Sequence, residues 1–123
     1  MRRALFVCVG NAGRSQMAQA FYEALGGEAR SAGSRPATTL DANVVEAMRE
    51  AGFDISSRRP KGFTDADVEW ADVVVTMGCG DVCPFFPGKE YLDWNLTDPI
   101  TLSPDEVREL RDDIRRRVSD LAG

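Results

Sequence analysis

The stretch Cys8-Val9-Gly10-Asn11-Ala12-Gly13-Arg14-Ser15 sits between an apolar run, Ala4-Leu5-Phe6-Val7, and a helical pattern that begins near Arg14. Strand geometry would deliver Cys8 to the carboxyl end of a sheet. Gly10 and Gly13 permit backbone conformations with φ > 0, and Asn11 tolerates them. The N–H groups of Val9, Gly10, Asn11, Ala12 and Gly13 can then turn inward as an anion nest, with the positive end of a helix behind them. Arg14 adds a planar fork of donors suited to two oxygens of a tetrahedral oxyanion. The same positive field favours thiolate over thiol at Cys8. Ser15 can donate a hydrogen bond to that sulfur. The stretch thus combines an oxyanion site, Val9 through Ser15, with a nucleophile. A Cys followed six positions later by Arg is weak by itself; two glycines, a strand before and a helix after make coincidence a poor account. A buried structural cysteine beside a glycine-rich turn is the competing reading, and it leaves Arg14 unexplained.

Composition narrows the chemistry. At 123 residues the chain is sized for one domain, residues 1–123, with a single core. A formal net charge of -5 provides no basic field for nucleic acid or an anionic membrane, so an anionic substrate must be held by local geometry. No apolar stretch reaches the length of a membrane span, and a cytoplasmic protein is expected. There are three cysteines and no histidine. The odd count argues against a disulfide framework and for thiol chemistry. Without histidine, any acid or base must be a carboxyl group, a thiol or water. No large apolar stripe is left unassigned, which suits a monomer.

Along the chain, Met17, Ala20, Phe21, Ala24 and Leu25 recur at helical spacing until Gly26-Gly27. Ala29-Arg30-Ser31-Ala32, closed by Gly33, reads as a short strand. Val44, Ala47, Met48 and Ala51 mark a second helix, started near Asp41 and stopped by Gly52. Thr64 can cap a short helix through Trp70, and Val73-Val74-Val75-Thr76-Met77 reads as a fully buried parallel strand. Tyr91-Leu92-Asp93-Trp94 is the last strand candidate. Ser103-Pro104-Asp105-Glu106 is a strong helix start, followed by an apolar stripe of Val107, Leu110, Ile114, Val118 and Leu121. Arg115-Arg116-Arg117 reads as a solvated face near the negative end of that helix. This alternation predicts an α/β fold: one three-layer domain, a four-stranded parallel sheet with helices on both faces, and ligands beyond the strands' carboxyl ends.

Two further features carry chemistry. Cys79 and Cys83 lie in the glycine- and proline-rich segment between Gly78 and Gly88, both following the strand that ends at Met77. A strand-end position would bring them to the edge of the sheet where Cys8 lies. A structural zinc pair is one reading, but only one further Cys and no His exist to complete four ligands, so no metal is expected. Two inert thiols are another. A third is a loop in which Cys79 can swing toward Cys8 and Cys83 can resolve what Cys79 forms, with the loop deforming to meet disulfide geometry. Asp98-Pro99 is a turn or, facing the Cys8 loop, a proton donor to a leaving oxygen.

The Cys8-to-Ser15 loop with Gln16-Met17-Ala18, Ser31-Ala32-Gly33, the Val73-to-Met77 strand, the paired cysteines and Asp98-Pro99 together resemble the thioredoxin-coupled arsenate reductases. Those enzymes share the low-molecular-weight protein tyrosine phosphatase fold. The resemblance covers nearly the whole chain. It implies that Cys8 attacks arsenate held by Arg14 and the loop amides, with Asp98 protonating the departing oxygen and phosphate or sulfate acting as analogues. It further implies a Cys8–Cys79 disulfide, then a Cys79–Cys83 disulfide reduced by thioredoxin, with no cofactor such as flavin, nicotinamide or metal. The spacing of Cys79 and Cys83 is shorter than the family's usual pair. Some members bind potassium through acidic residues; the matching positions here hold Gln19 and Lys61. The Lys61 ammonium is therefore expected near Asn11 and Ser31 in the cation's place, or else as a plain surface charge. The alternatives are a low-molecular-weight phosphatase using Cys8, Arg14 and Asp98, a mycothiol- or glutathione-coupled reductase needing only Cys8, and an oxyanion-binding module without turnover. Phosphatases of this family carry tyrosines after Asp-Pro, where this chain has Ile100-Thr101.

Overall fold

A computed structural model describes residues 1–78 and 87–123. Four parallel strands, β1 (Ala4–Cys8), β2 (Ala29–Gly33), β3 (Val73–Thr76) and β4 (Glu90–Asp93), form one sheet in the order β2-β1-β3-β4. The helices are α1 (Arg14–Ala24), α2 (Ala42–Glu50), α3 (Asp65–Trp70) and α4 (Pro104–Ala122), with a 3-10 turn at Pro99–Thr101. The expected α/β architecture is the one observed.

Every residue of β1 is buried. Because side chains alternate across a strand, Ala4, Phe6 and Cys8 enter a core with Met17, Phe21, Val44, Met48 and Ile114. Leu5 and Val7 enter a second core with Val68, Ala71 and Val74. Helices α1, α2 and α4 therefore contribute to the core on one face and α3 to that on the other. Strand order reverses direction between β1 and β3. That switch point, at the carboxyl ends, is where the chain leaves β1 into the Cys8 stretch. Among the described residues no helix is long and apolar enough to cross a membrane.

Several helix boundaries follow local chemistry. Asp41 caps α2 by accepting from the N–H groups of Asn43 and Val44. Thr64 and Ser103 each complete a capping box, with Asp67 and Glu106 respectively. Two expectations need correction. The buried side of α1 includes Ala18 and Tyr22, whereas Ala24 and Leu25 are exposed. The amino-terminal half of α1 is walled in by the loops around it, so burial there does not follow one stripe. Arg115 and Arg116 are solvent-exposed as expected, but the three arginines lie before the last turn of α4, which contains no basic residue. Arg115 instead lies over the rings of Phe21 and Phe53, at 5.2 and 5.5 Å, and Arg116 and Arg117 pair with Asp113.

Replacing Ser103 with Ala should cost about 1 kcal/mol in urea unfolding, by loss of the cap to the Glu106 N–H. In the reciprocal half of the box, the Ser103 backbone N–H donates to Glu106 and holds its carboxyl below the usual range. A lowered folded-state value means that this contribution is present above the ordinary carboxylate range and lost as pH falls through the lowered value. The stability difference between wild type and Glu106→Gln should accordingly narrow in acid; a constant difference down to pH 2 would contradict the assignment.

Candidate active site

The loop from Cys8 to Ser15 is held from outside by its own carbonyl groups. The N–H groups of Ser34, Arg35, Ala37 and Asp41 donate to the carbonyls of Cys8, Val9, Gly10 and Ala12, at 3.0, 2.8, 2.9 and 3.0 Å. The Asn11 carbonyl accepts from Gln16 Nε2 at 3.2 Å. In a planar trans peptide the C=O and N–H point in opposite directions. Tethering the five successive carbonyls turns the N–H groups of Val9, Gly10, Asn11, Ala12 and Gly13 each away from the tether of its own peptide. Beside the loop is a cleft of about 510 Å³ lined by Cys8, Gly10, Ala12, Gly13, Arg14 and Asp98, and walled by residues Ala37 to Asp41 as well.

The start of α1 reinforces the cradle. Gly13 occupies the cap position with no side-chain cap, and the first turn holds no acidic residue. The first N–H groups of the helix and its positive end are thus available to an anion.

Behind the loop stands Asn11, fully buried at φ 51°. Its Oδ1 accepts from Gln16 Nε2 at 2.9 Å and from the Lys61 backbone N–H at 3.0 Å, and its Nδ2 donates to Ser15 Oγ at 2.7 Å. Ser15 Oγ, already accepting from Asn11, has its own proton to give to Cys8 Sγ, 2.9 Å away. The polarity is fixed from Asn11 to Ser15, and it leaves the Ser15 hydroxyl able to donate to the sulfur.

Arg14 is buried, with 5% of its side chain exposed. Nη1 donates to the Leu96 carbonyl at 3.2 Å and Nη2 lies 3.4 Å from Asp98 Oδ2. Its Nε is buried with no hydrogen-bond partner among the described residues. Asp98 is half-exposed and placed by the 3-10 turn, its Oδ1 accepting from the Ile100 N–H at 3.0 Å. Cys8, Arg14, Ser15, Asp98 and the loop residues Val9 to Gly13 thus meet at one sheet edge. Cys79 and Cys83 lie outside the described residues.

Three details differ from the expectation or go beyond it. Within the loop only Asn11 is left-handed; Gly10 and Gly13 are not. Gly13 is needed for space, since a Cβ there would lie 2.7 Å from Pro99 Cγ. Lys61 reaches Asn11 through its backbone N–H rather than its ammonium, and Ser31 Oγ donates to Gln19 Oε1 at 2.6 Å. The exposed Lys61 side chain donates to neither Asn11 nor Ser31. Gln16, Gly33, Leu96 and the strap from Ser34 to Asp41 are positioning elements that the sequence reading did not assign.

The chain belongs to the low-molecular-weight phosphotyrosine protein phosphatase family, whose pattern matches residues 3–123. Within it, the chain is 42% identical to a candidate arsenate reductase of Halobacterium salinarum, over 94% of this chain and 87% of that protein. A thioredoxin-dependent arsenate reductase of Corynebacterium glutamicum superimposes with a TM-score of 0.85 at 44% identity, covering 98% of this chain and 60% of that one. An arsenate reductase in its phosphate-binding state gives a TM-score of 0.86 at 30% identity, covering 99% of this chain and 97% of the other.

Gly33 underlies the loop so closely that a Cβ would stand 2.6 Å from the Val9 carbonyl oxygen and 2.9 Å from the Asn11 nitrogen. Both are backbone atoms and cannot step aside. Gly33→Ala should lose about 1–3 kcal/mol in urea unfolding and bind phosphate more weakly by calorimetry. Wild-type values for both would refute this packing account.

Proposed function

We propose that this protein reduces arsenate to arsenite with Cys8 as nucleophile, passing the oxidation through Cys79 and Cys83 to thioredoxin. The observation that carries the reading is the Cys8 sulfur, hydrogen-bonded to Ser15 at the floor of an amide-lined cleft beside buried Arg14. The likeness to arsenate reductases, one of them thioredoxin-dependent, supports the choice of arsenic over other tetrahedral oxyanions.

Arsenate binds with its oxygens on the N–H groups of residues 9–13 and on Arg14. Cys8 attacks arsenic, and one oxygen departs as water with a proton from Asp98. Cys79 then attacks the Cys8 sulfur. The electron pair of the S–As bond stays on arsenic, taking As(V) to As(III), and arsenite leaves. The two electrons come from two thiols that have become the Cys8–Cys79 disulfide. Cys83 attacks Cys79, Cys8 is freed, and the Cys79–Cys83 disulfide is reduced by the dithiol of thioredoxin.

Phosphomonoester hydrolysis is the second reading, favoured by the Arg14–Asp98 arrangement, which supplies an anion fork and a proton donor without any further cysteine. The two separate in one assay series with thioredoxin, its reductase and NADPH. Cys8→Ser should abolish both arsenate reduction and any phosphatase activity. Cys79→Ser and Cys83→Ser should each lower thioredoxin-coupled turnover at least a hundredfold and spare phosphatase activity. Undiminished arsenate turnover in either of the latter would sink the relay, and full activity with a small thiol alone would replace thioredoxin as reductant.

A further inference from the structure

Beyond the roles proposed for Cys8, Arg14 and Asp98, we infer that Gly78 is a positioning residue for Arg14: by lacking a side chain, it sets where the guanidinium stands and so how tightly the cleft holds an oxyanion. The inference rests on the reading above only for the identity of the anion.

Gly78 follows the end of β3. The Met77 N–H donates to the Val7 carbonyl at 2.7 Å, so the β1–β3 pairing carries on to the level of the anion loop. Gly78 has φ +93°, and a Cβ built on it would lie 2.7 Å from Arg14 Nη1 and 3.7 Å from Arg14 Cζ. Among the described residues nothing else outside its chain neighbours comes within 4 Å of that point. The residue is exposed, so no core packing demands a glycine there. The atom in the way is the tip of a long side chain, which can yield at little cost to the fold.

In this case the yielding side chain is the one that grips the anion. Arg14 Nη1 is held by the Leu96 carbonyl at 3.2 Å, and the side chain is buried around it. A methyl group at position 78 would push Nη1 off Leu96 and rotate the fork, carrying Nε and Nη2 away from their bearing on the cleft. Folding would lose little and anion binding much, because a bidentate fork depends on the alignment of both donors.

Backbone strain must be separated from the clash, and the chain contains its own control. Gly52 has the same φ of +93° with nothing among the described residues within 4 Å of its Cβ position, and it lies past the end of α2. Gly52→Ala therefore carries the strain alone, and Gly78→Ala carries strain and clash. Gly78→Asn keeps the clash but relieves strain, since Asn tolerates φ > 0 better than Ala.

The experiment measures Tm and the Kd for inorganic phosphate in wild type and these three variants. Gly78→Ala and Gly52→Ala should lose similar Tm. Phosphate Kd should rise about tenfold or more in Gly78→Ala and Gly78→Asn, as expected for misaligning a charge-assisted hydrogen bond, and stay within twofold of wild type in Gly52→Ala. Wild-type phosphate affinity in Gly78→Ala would overturn the inference. So would recovery of affinity in Gly78→Asn, which would assign the loss to strain. Should Gly78→Ala not fold, Gly78→Asn decides alone against wild type. Phosphate binding needs no reductant, so a failure of arsenate turnover in the wild type would count against the proposed reaction and not against Gly78.

Discussion

The site depends on carbonyl groups that point away from it. Four backbone N–H groups of the segment after β2, with the Gln16 side chain, take up the carbonyls of residues 8–12. Each bond is an ordinary one, worth about 1 kcal/mol net. Their joint effect is directional, because a planar peptide whose oxygen is tethered must turn its N–H the opposite way. The cradle is therefore prepaid in folding. In the proposed reading an arriving oxyanion would find donors already aligned, the condition under which fixed dipoles stabilise charge best.

The same logic extends to Cys8, the proposed nucleophile. Asn11 accepts two donors with its oxygen, which leaves only its amide N–H group for Ser15, and that in turn leaves the Ser15 proton for Cys8. Reversing either bond of Asn11 Oδ1, or the bond from Asn11 Nδ2 to Ser15, would require turning the Asn11 amide against the Lys61 N–H. A fully buried polar chain of this kind is costly unless every member is satisfied. Asn11 is the loop residue held in a left-handed conformation, a cost that Asn bears more easily than most residues. Arg14 completes the picture from the opposite wall, steadied by Leu96 and Asp98 and approached by the bare backbone of Gly78.

Much of this was legible beforehand, for identifiable reasons. The β1 run, the capping boxes at Thr64 and Ser103, and the Cys8-to-Ser15 stretch are local patterns whose chemistry lies in neighbouring residues. Asp98 was legible as a candidate because Asp-Pro forces a turn after the last strand. The strap from Ser34 to Asp41 was not, since it works through main-chain N–H groups that any residue but proline provides. Gly33 and Gly78 were visible as glycines, but their purpose is the absence of a Cβ against atoms far away in sequence. Of the two readings of Lys61, the ammonium contact is not the one seen: the residue reaches Asn11 through the backbone that every residue shares, and its side chain is exposed.

The central claim is that the N–H groups of residues 9–13, turned inward by their tethered carbonyls, form the oxyanion site together with Arg14. Amide chemical shifts followed by NMR through a phosphate titration test it most directly. The account predicts saturable shifts of the Val9, Gly10, Asn11, Ala12 and Gly13 amides and of Arg14 Nε–H, all with one Kd. Phosphate that bound while leaving those resonances in place, or that shifted a set of amides elsewhere on the molecule, would contradict it.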